Sequence, residues 1–282
     1  MIWEEPAEKP NGRITLQFRK NKEGKTYLSR QYFQIPLQIL RPHYYDVDGT
    51  AIIYSLNPAG GILQHDRLLT EIECEDGADA VFTTPGNNKF YRMDEDCAKV
   101  WNRLHVHKGG VLEYLPEHNV PFADSTVYQE NDFYVEKGGV LFAADMVTAG
   151  RVGSGEVFRY NRYQSRTRVF VDGELVLYDN CSLEPLRKEF TGTGMLDGCL
   201  SNGSMYVYAC GMDLQLRNQV ATLSTDKVKL GAGNVTPELM VVRFLGDSII
   251  DMSEMMQNVW DVCRKSILNK PALKLRKEFS GR

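Results

Sequence analysis

The sequence predicts a mainly β protein built from two stacked β-sheets, antiparallel or mixed, in an elongated sandwich with few helices. Three observations support this prediction. Apolar and polar residues alternate in short segments along most of the chain, and a period of two is typical of half-buried strands. Turn-forming pairs such as Asp48-Gly49, Gly138-Gly139 and Asp172-Gly173 separate these segments. Helical periodicity is clear only near the C-terminus, so the strands are expected to pack sheet against sheet.

The clearest strand segments are rich in Val, Tyr, Phe and Leu, which suit a pleated, half-buried surface. They are residues 14–18, 110–115, 168–172, 174–178, 205–209 and 239–244. Asp172-Gly173 stands directly between two of them. An Asp-Gly pair in that position predicts a tight two-residue hairpin.

One helix is predicted, starting after Ser248. Ser248 and Asp251 resemble a capping box, and Lys270-Pro271 ends the helix because proline cannot continue it. Apolar residues recur between them at steps of three and four, which places them on one helical face. They are Met252, Met255, Met256, Val259, Trp260, Cys263 and Ile267. We expect this face to pack on the core and not to form a groove for a partner.

The composition is that of an ordinary globular protein. The chain has 282 residues, of which 43% are hydrophobic and 25% charged, enough apolar material for a large core. No linker, repeat or low-complexity segment divides it, so we expect a single domain spanning residues 1–282. The net charge is −4 and no block of Lys and Arg dominates, which argues against a nucleic-acid partner.

The same reading places the protein in the cytoplasm, without a membrane partner. The first residues lack the basic start and apolar run of a signal peptide. No apolar stretch approaches the roughly 20 residues needed to cross a bilayer. The six cysteines are scattered without CxxC pairs, as expected of reduced thiols.

Sequence motifs for common enzyme chemistry are missing. The nucleotide-binding GxxxxGK[ST] pattern is absent, and residues 192–197 lack the third glycine of a dinucleotide fingerprint. Residues 152–156 lack the outer glycines of GxSxG. Two facing carboxylates can hydrolyse glycosides, and the candidates are Asp66, Glu113, Asp145 and Glu156. A β-sandwich hydrolase therefore stays an alternative, as does a carbohydrate-binding module that uses exposed Tyr and Trp.

His105 and His107 are predicted to lie on one face of a strand. This spacing can form one edge of a metal site, and it is also what two polar positions on a solvated strand face show. A zinc-type site needs about four ligands, and no cysteine or acid at a fixed spacing completes the set. The ordinary polar face is therefore the favoured interpretation.

Six segments occur in a characteristic order along the chain. They are IPLQILRP at 35–42, NPAGGILQHDRL at 57–68, FTTPGNNKFYR at 82–92, LEYLPE at 112–117, GRVGSGE at 150–156 and VRFLG at 242–246. A helix with Trp260 follows the last of them. In this order the segments resemble the urease accessory protein family UreD, called UreH in some bacteria, and the resemblance spans nearly the whole chain.

The resemblance implies a nickel-insertion chaperone that is not an enzyme. Proteins of this family are sheet-rich scaffolds that bind the urease structural subunits and the helical protein UreF. Through UreF they recruit the GTPase UreG, which carries nickel. No tightly bound cofactor is implied, because Ni²⁺ is only in transit, along an internal water-filled passage, to the urease metallocentre.

The resemblance also implies residues along the passage. Asp66, Asp145 and Glu156 match acidic positions of the family, and His65 is a further candidate beside Asp66. Nickel binds nitrogen and sulfur ligands strongly, so a passage that must release it is expected to use water and isolated carboxylates. The alternative is that each acid caps a turn or pairs with a nearby arginine.

Partner contacts are expected at the family's motif segments. The residues concerned are Gly60, Gly61, Thr83, Thr84, Lys89, Tyr91, Arg92 and Arg151. Residues 83–92 combine a Pro-Gly turn with the mixture of aromatic residues and arginine that protein interfaces favour. Gln64-His65 stand where relatives usually carry two glycines, and losing both predicts a reshaped loop.

Overall fold

The computed structural model describes residues 6–45, 48–190, 192, 194–273 and 275. The strands in these residues are β1 Gly12–Lys20, β2 Thr26–Gln34, β3 Gln38–Ile39, β4 Ala51–Leu56, β5 Arg67–Cys74, β6 Asp79–Thr83, β7 Asn88–Phe90, β8 Ala98–Val106, β9 Val111–Leu115, β10 Asn119–Pro121, β11 Thr126–Val135, β12 Val140–Thr148, β13 Arg162–Val171, β14 Glu174–Leu183, β15 Ser201–Tyr208, β16 Val228–Thr236 and β17 Leu239–Gly246. The helices are α1 Leu216–Ala221 and α2 Ile249–Leu268, with a short 3₁₀ helix at Val152–Ser154.

The strands form two sheets. Sheet A has seven strands in the order β14-β13-β11-β8-β5-β1-β2. Sheet B has ten, with β16-β17-β15-β12-β9-β6-β4-β3 in sequence across the sheet and β10 and β7 attached beside β12. The prediction of stacked sheets with few helices, one of them near the C-terminus, is confirmed.

The centre of each sheet is parallel. Strands β5, β8, β11 and β13 pair in parallel within sheet A, and β6, β9 and β12 do so within sheet B. Parallel neighbours need a crossover connection. Here the chain passes to the opposite sheet between them, so a strand takes the place that a helix usually has. Each sheet therefore contains parallel pairs even though no helices alternate with its strands.

Antiparallel pairs close the ends of both sheets, and the predicted hairpin is one of them. Strands β13 and β14 pair antiparallel around Asp172-Gly173. Asp172 has φ 48° and Gly173 has φ 86°. Positive φ at both central residues is what a type I′ turn requires, and this turn matches the twist of the strands.

The core lies between the sheets and beneath the helices. Ile14, Leu16 and Phe18 of β1 are buried between the sheets, and the residues between them face outward, as strand geometry requires. The outer face of sheet B is covered by α1 and α2. No helix in the described residues is both long enough and apolar enough to span a membrane.

Helix α2 confirms the predicted helix and its packing. Ser248 caps its N-terminus by accepting a hydrogen bond from the backbone N–H of Asp251. The apolar face, including Met252, Met256 and Val259, is buried against sheet B. The predicted core packing is therefore confirmed. All six cysteines are free in the structure.

Candidate functional site

A polar cavity lies between the two sheets at the end where β7 and β10 join sheet B. Its volume is about 70 Å³, and roughly 10–15 Å³ is enough to hold one water molecule. The polar residues that line it are Ser55, Thr70, Thr84, Asn88, Asn102, Tyr114, Asn119, Gln129, Asn131 and Asp145, and the apolar ones include Leu37, Ile62, Leu68 and Phe90. The cavity is therefore large enough for several waters and offers them polar partners.

Asp145 is the one acidic residue among those that line this cavity. Asp145 lies on β12. Side chains at every second position of a strand point to the same side, so Asp145 points to the side on which Leu141 and Ala143 are buried between the sheets. Its carboxylate accepts hydrogen bonds from Asn119 Nδ2 at 3.1 Å and Gln129 Nε2 at 3.0 Å.

Two hydroxyl groups complete the surroundings of the Asp145 carboxylate. Ser165 Oγ donates to Oδ2 at 2.5 Å, and the Tyr163 hydroxyl lies 3.5 Å from Oδ1. Within the described part of the chain, the hydrogen-bond donors to Asp145 are all uncharged. Burial raises the pKa of Asp145, and the hydroxyl and amide donors partly oppose that rise. A cation entering the cavity would meet a carboxyl group to which no basic side chain of the described residues donates a hydrogen bond.

The segment TTPGNNKFYR forms both a wall of this cavity and an exposed corner. Thr84, Asn88 and Phe90 line the cavity. Lys89, in the same strand as Asn88 and Phe90, is exposed on the opposite side, as alternation along β7 requires. Thr83 is buried and donates to the carbonyl of Leu115 at 2.5 Å.

Gly60 and Gly61 pack directly against this corner. The carbonyl of Gly60 accepts a hydrogen bond from the Tyr91 hydroxyl at 3.2 Å. A Cβ on Gly61 would lie 2.5 Å from a ring carbon of Tyr91 and 2.9 Å from the backbone oxygen of Lys89. Only glycine allows this close approach, so the Gly-Gly pair fixes Tyr91 at the surface.

Arg151 and Glu156 join the same surface from the segment after β12. The Arg151 guanidinium forms a two-point ion pair with Glu156 and lies over the ring of Phe122, 4.4 Å from its centroid. Phe122 in turn meets Tyr91 edge to face at 5.1 Å. Arg92 is 69% exposed beside Asp94. We call Tyr91, Arg92, Phe122, Arg151 and Glu156 the motif surface.

Glu156 is thus placed at the surface and not in the cavity. Its pKa is lowered mainly by the hydrogen bond from Arg151, and it also accepts from the backbone N–H of Ala123 at 3.2 Å. This is the ion-paired arrangement that the sequence left as an alternative. Of the acidic passage candidates, only Asp145 is among the residues that line the cavity.

Asp66 and His65 lie in a turn outside the cavity lining. Asp66 accepts from the backbone N–H of Leu63 at 2.8 Å, and burial raises its pKa. His65 has φ 66°, the left-handed region that favours glycine, and its Nδ1 is 2.7 Å from Asp96. The backbone therefore keeps a glycine-like conformation, and the imidazole is accommodated by a neighbouring carboxylate.

His105 and His107 come together at the other face of sheet A. Their rings are 4.1 Å apart, and Glu73 of the adjacent strand β5 provides a third group close to both. Sequence spacing gave no third ligand because Glu73 is 32 positions before His105 in the chain, and only the pairing of β5 with β8 brings them together.

The sequence was compared with known protein families and with curated relatives. The model of the family described as "UreD urease accessory protein" matches residues 10–278. The chain belongs to the UreD family. A UreD protein of Pseudomonas entomophila is 31% identical over 268 residues, which is 94% of this chain and 93% of the relative. One from Cenarchaeum symbiosum is 37% identical over 199 residues, 70% of each chain, and one from Acetivibrio thermocellus is 29% identical over 231 residues, 81% of this chain and 88% of the relative.

The six segments quoted from the sequence supply the corner, most of the motif surface and half of the residues that line the cavity, but none of the side chains that surround Asp145. Asn119, Gln129, Tyr163 and Ser165 surround Asp145 and come from three different strands. Inward-facing polar residues in β11 and β13 are the only sequence signal for them. Polar residues at every second position of a buried strand face point to a hydrogen-bonded polar interior.

Proposed function

We propose that this UreD-family protein is a non-enzymatic, cytoplasmic scaffold for nickel insertion into urease. It binds the urease structural subunits and UreF, and through UreF the nickel-carrying GTPase UreG. The cavity between the sheets is part of the path of Ni²⁺, and Asp145 is a temporary ligand there. The observation that carries this proposal is the Asp145 carboxylate, held at the cavity by uncharged donors.

The chemistry of the lining suits passage better than storage. The lining residues contain neither histidine nor cysteine, and these are the side chains that hold Ni²⁺ most firmly. Amides, hydroxyls and one carboxylate bind the ion weakly, and waters in the cavity keep part of its hydration shell. Weak ligands allow release, which transport requires. Ni²⁺ is the cargo in this proposal and not a resident cofactor.

The size and lining of this cavity do not suit the two alternative functions, a β-sandwich hydrolase and a carbohydrate-binding module. Small-molecule sites typically enclose about 300–1,000 Å³, several times the 70 Å³ found here. A glycosidase needs two facing carboxylates, and Asp145 is the one acid among the lining residues. Neither hydrolysis of a sugar nor binding of one has support at this site.

The motif surface supports the partner contacts. It combines aromatic rings with arginines, the mixture favoured in protein interfaces, and Gly60-Gly61 hold Tyr91 in place from below. Arg151, stacked on Phe122 and paired with Glu156, is ordered before any partner arrives. An ordered side chain loses less entropy on binding, so this surface is our proposed docking site for one of the maturation partners.

The test is Asp145→Asn in the full chain, co-expressed with urease and its accessory proteins. Loss of a carboxylate ligand is expected to weaken nickel binding by at least about tenfold, so urease nickel content and activity fall while partner pull-down stays close to wild type and the variant melts no lower than wild type. Asp172→Asn is the control, because Asn-Gly suits the type I′ turn and the residue is in a surface hairpin. Normal nickel loading with Asp145→Asn would remove the passage role of this residue.

A further inference from the structure

Four polar side chains cluster on the face of sheet A that points away from sheet B. His105 belongs to β8, whose neighbours Leu104 and Val106 point into the core, so the imidazole points outward. Glu73 is opposite His105 in the register of β5 and β8. His107 follows β8, and Glu136 follows β11. The strands therefore bring two imidazoles and two carboxylates from three segments to one place.

The distances suit a single small cation. One ring nitrogen from each histidine and one carboxylate oxygen of Glu73 all lie within 4.8 Å of one another. Bonds from a transition metal to imidazole nitrogen or carboxylate oxygen are roughly 2.0–2.2 Å long, so the ligand atoms around one ion stand about 3–4 Å apart. Small side-chain rotations are enough to close this group around an ion.

Both carboxylates are anchored through one oxygen and present the other to His107. Gln17 Nε2 donates to Glu73 Oε2 at 2.8 Å, and the backbone N–H of Lys108 donates to Glu136 Oε2 at 3.0 Å. The remaining oxygens are 2.9 Å and 3.0 Å from the two ring nitrogens of His107. When one nitrogen of a histidine binds a metal, a carboxylate on the other nitrogen commonly orients the ring. Glu136 is placed for that role.

The charges of the cluster are also balanced by a divalent ion. Two neutral imidazoles and the carboxylates of Glu73 and Glu136 carry a charge of −2, which one M²⁺ ion cancels. The His105 side chain is almost fully buried, with 4% exposed, whereas that of His107 is 24% exposed, so an ion would reach this group from the His107 side.

We propose that Glu73, His105 and His107 bind one divalent transition-metal ion at the surface of sheet A, with Glu136 as a positioning residue. The imidazole ligands favour ions such as Ni²⁺, Zn²⁺ and Co²⁺, whereas Mg²⁺ and Ca²⁺ prefer oxygen ligands. Three protein ligands leave coordination positions for water or for a group from a partner. The site is separate from the Asp145 cavity and does not depend on the proposed function.

The test is metal binding by the purified full chain, measured by equilibrium dialysis with NiCl₂ and ZnCl₂ and with MgCl₂ for comparison. We expect one site for Ni²⁺ or Zn²⁺ that Mg²⁺ does not fill. His107→Gln and Glu73→Gln are expected to weaken it by at least about tenfold, and Glu136→Gln by a smaller factor. X-ray absorption of the nickel-loaded protein should show two imidazole ligands, falling to one in His107→Gln.

The matched control is His65→Asn. His65 is another exposed imidazole beside one carboxylate, Asp96, but it is not among the described groups of three or more ligands. Asparagine tolerates its positive φ, so this variant should fold and bind metal as wild type does. Equal loss of binding in His65→Asn, unchanged binding in both Glu73→Gln and His107→Gln, or equal filling by Mg²⁺ would each overturn the proposal. Thermal melting of each variant without metal separates loss of a ligand from loss of fold.

Discussion

Arg264 offers the sharpest test of how this protein is held together. Its side chain is 1% exposed, and that of its ion-pair partner Glu113 is 0% exposed. Arg264 Nε donates to Glu113 at 3.0 Å, and the indole N–H of Trp260 donates to the other carboxylate oxygen. The guanidinium also donates to the carbonyl of Pro271. This network fastens α2 and the chain after it to β9.

Replacing Arg264 with Met keeps most of the side-chain volume but leaves the Glu113 carboxylate buried without its cation. Breaking one partner of a buried ion pair typically costs about 3–5 kcal/mol. Burial already raises the pKa of Glu113, and the attraction of Arg264 opposes that rise. We therefore expect the unfolding free energy to fall by about 3–5 kcal/mol. For a chain of this size, that corresponds to a drop in Tm of about 6–20 °C.

The assay is urea and thermal unfolding followed by circular dichroism, because tryptophan fluorescence would report on Trp260 itself. Lys265→Met is the matched control: Lys265 is the next residue of α2, is 60% exposed and pairs with Asp261 at the surface, where such pairs contribute about 0–1 kcal/mol. Glu113→Gln combined with Arg264→Met should cost less than the sum of the two single changes, because no charge is left buried. An Arg264→Met loss no larger than that of Lys265→Met, or strict additivity in the double variant, would refute this reasoning.

Three further outcomes can be measured by the same unfolding assay. Gly61→Ala should lower the unfolding free energy by about 1–3 kcal/mol, because the added Cβ meets Tyr91 and the backbone oxygen of Lys89. Gly86→Ala is the control and should be close to neutral, because a Cβ there would meet no atom within 4 Å. Gly173→Ala should cost about 1–2 kcal/mol, since φ is 86° there, and no loss would contradict the type I′ turn. Burial raises the pKa of Asp145 in the folded protein, so the folded state favours the protonated carboxyl group. The resulting contribution to the unfolding free energy is fully present below the unfolded pKa of about 3.9 and is lost as pH rises through the folded pKa. Asp145→Asn should therefore gain stability relative to wild type as pH rises above about 4, and a pH-independent difference would count against a raised pKa.

Local patterns were enough to predict several parts of the fold. The Asp172-Gly173 hairpin and α2 with its Ser248 cap appear where the sequence placed them. Each depends on neighbouring residues only: a turn needs two residues with positive φ, and a cap needs one side chain near the first free N–H groups. The burial of the Met252–Trp260 face follows from its periodicity alone.

The direction of strand pairing was harder to predict. In a βαβ unit, the helical segment of the sequence indicates that the two strands are parallel. Here the crossover between β5 and β8 includes a strand of the other sheet instead. Alternation marks each segment as a strand and says nothing about which strand lies beside it. Pairing across long sequence separations is set by the packing of the whole domain.

The sequence by itself determined the class of fold, the hairpin, the capped helix and the family, because these depend on residues close together in the chain or on the order of segments along it. Only the tertiary structure decided where the acids lie and which side chains they contact. It placed Asp145 at the cavity, Glu156 in an ion pair with Arg151, and Glu73 beside His105 and His107. The physical reason is that a carboxylate's chemistry depends on the charges and solvent around it, and strands distant in sequence supply them.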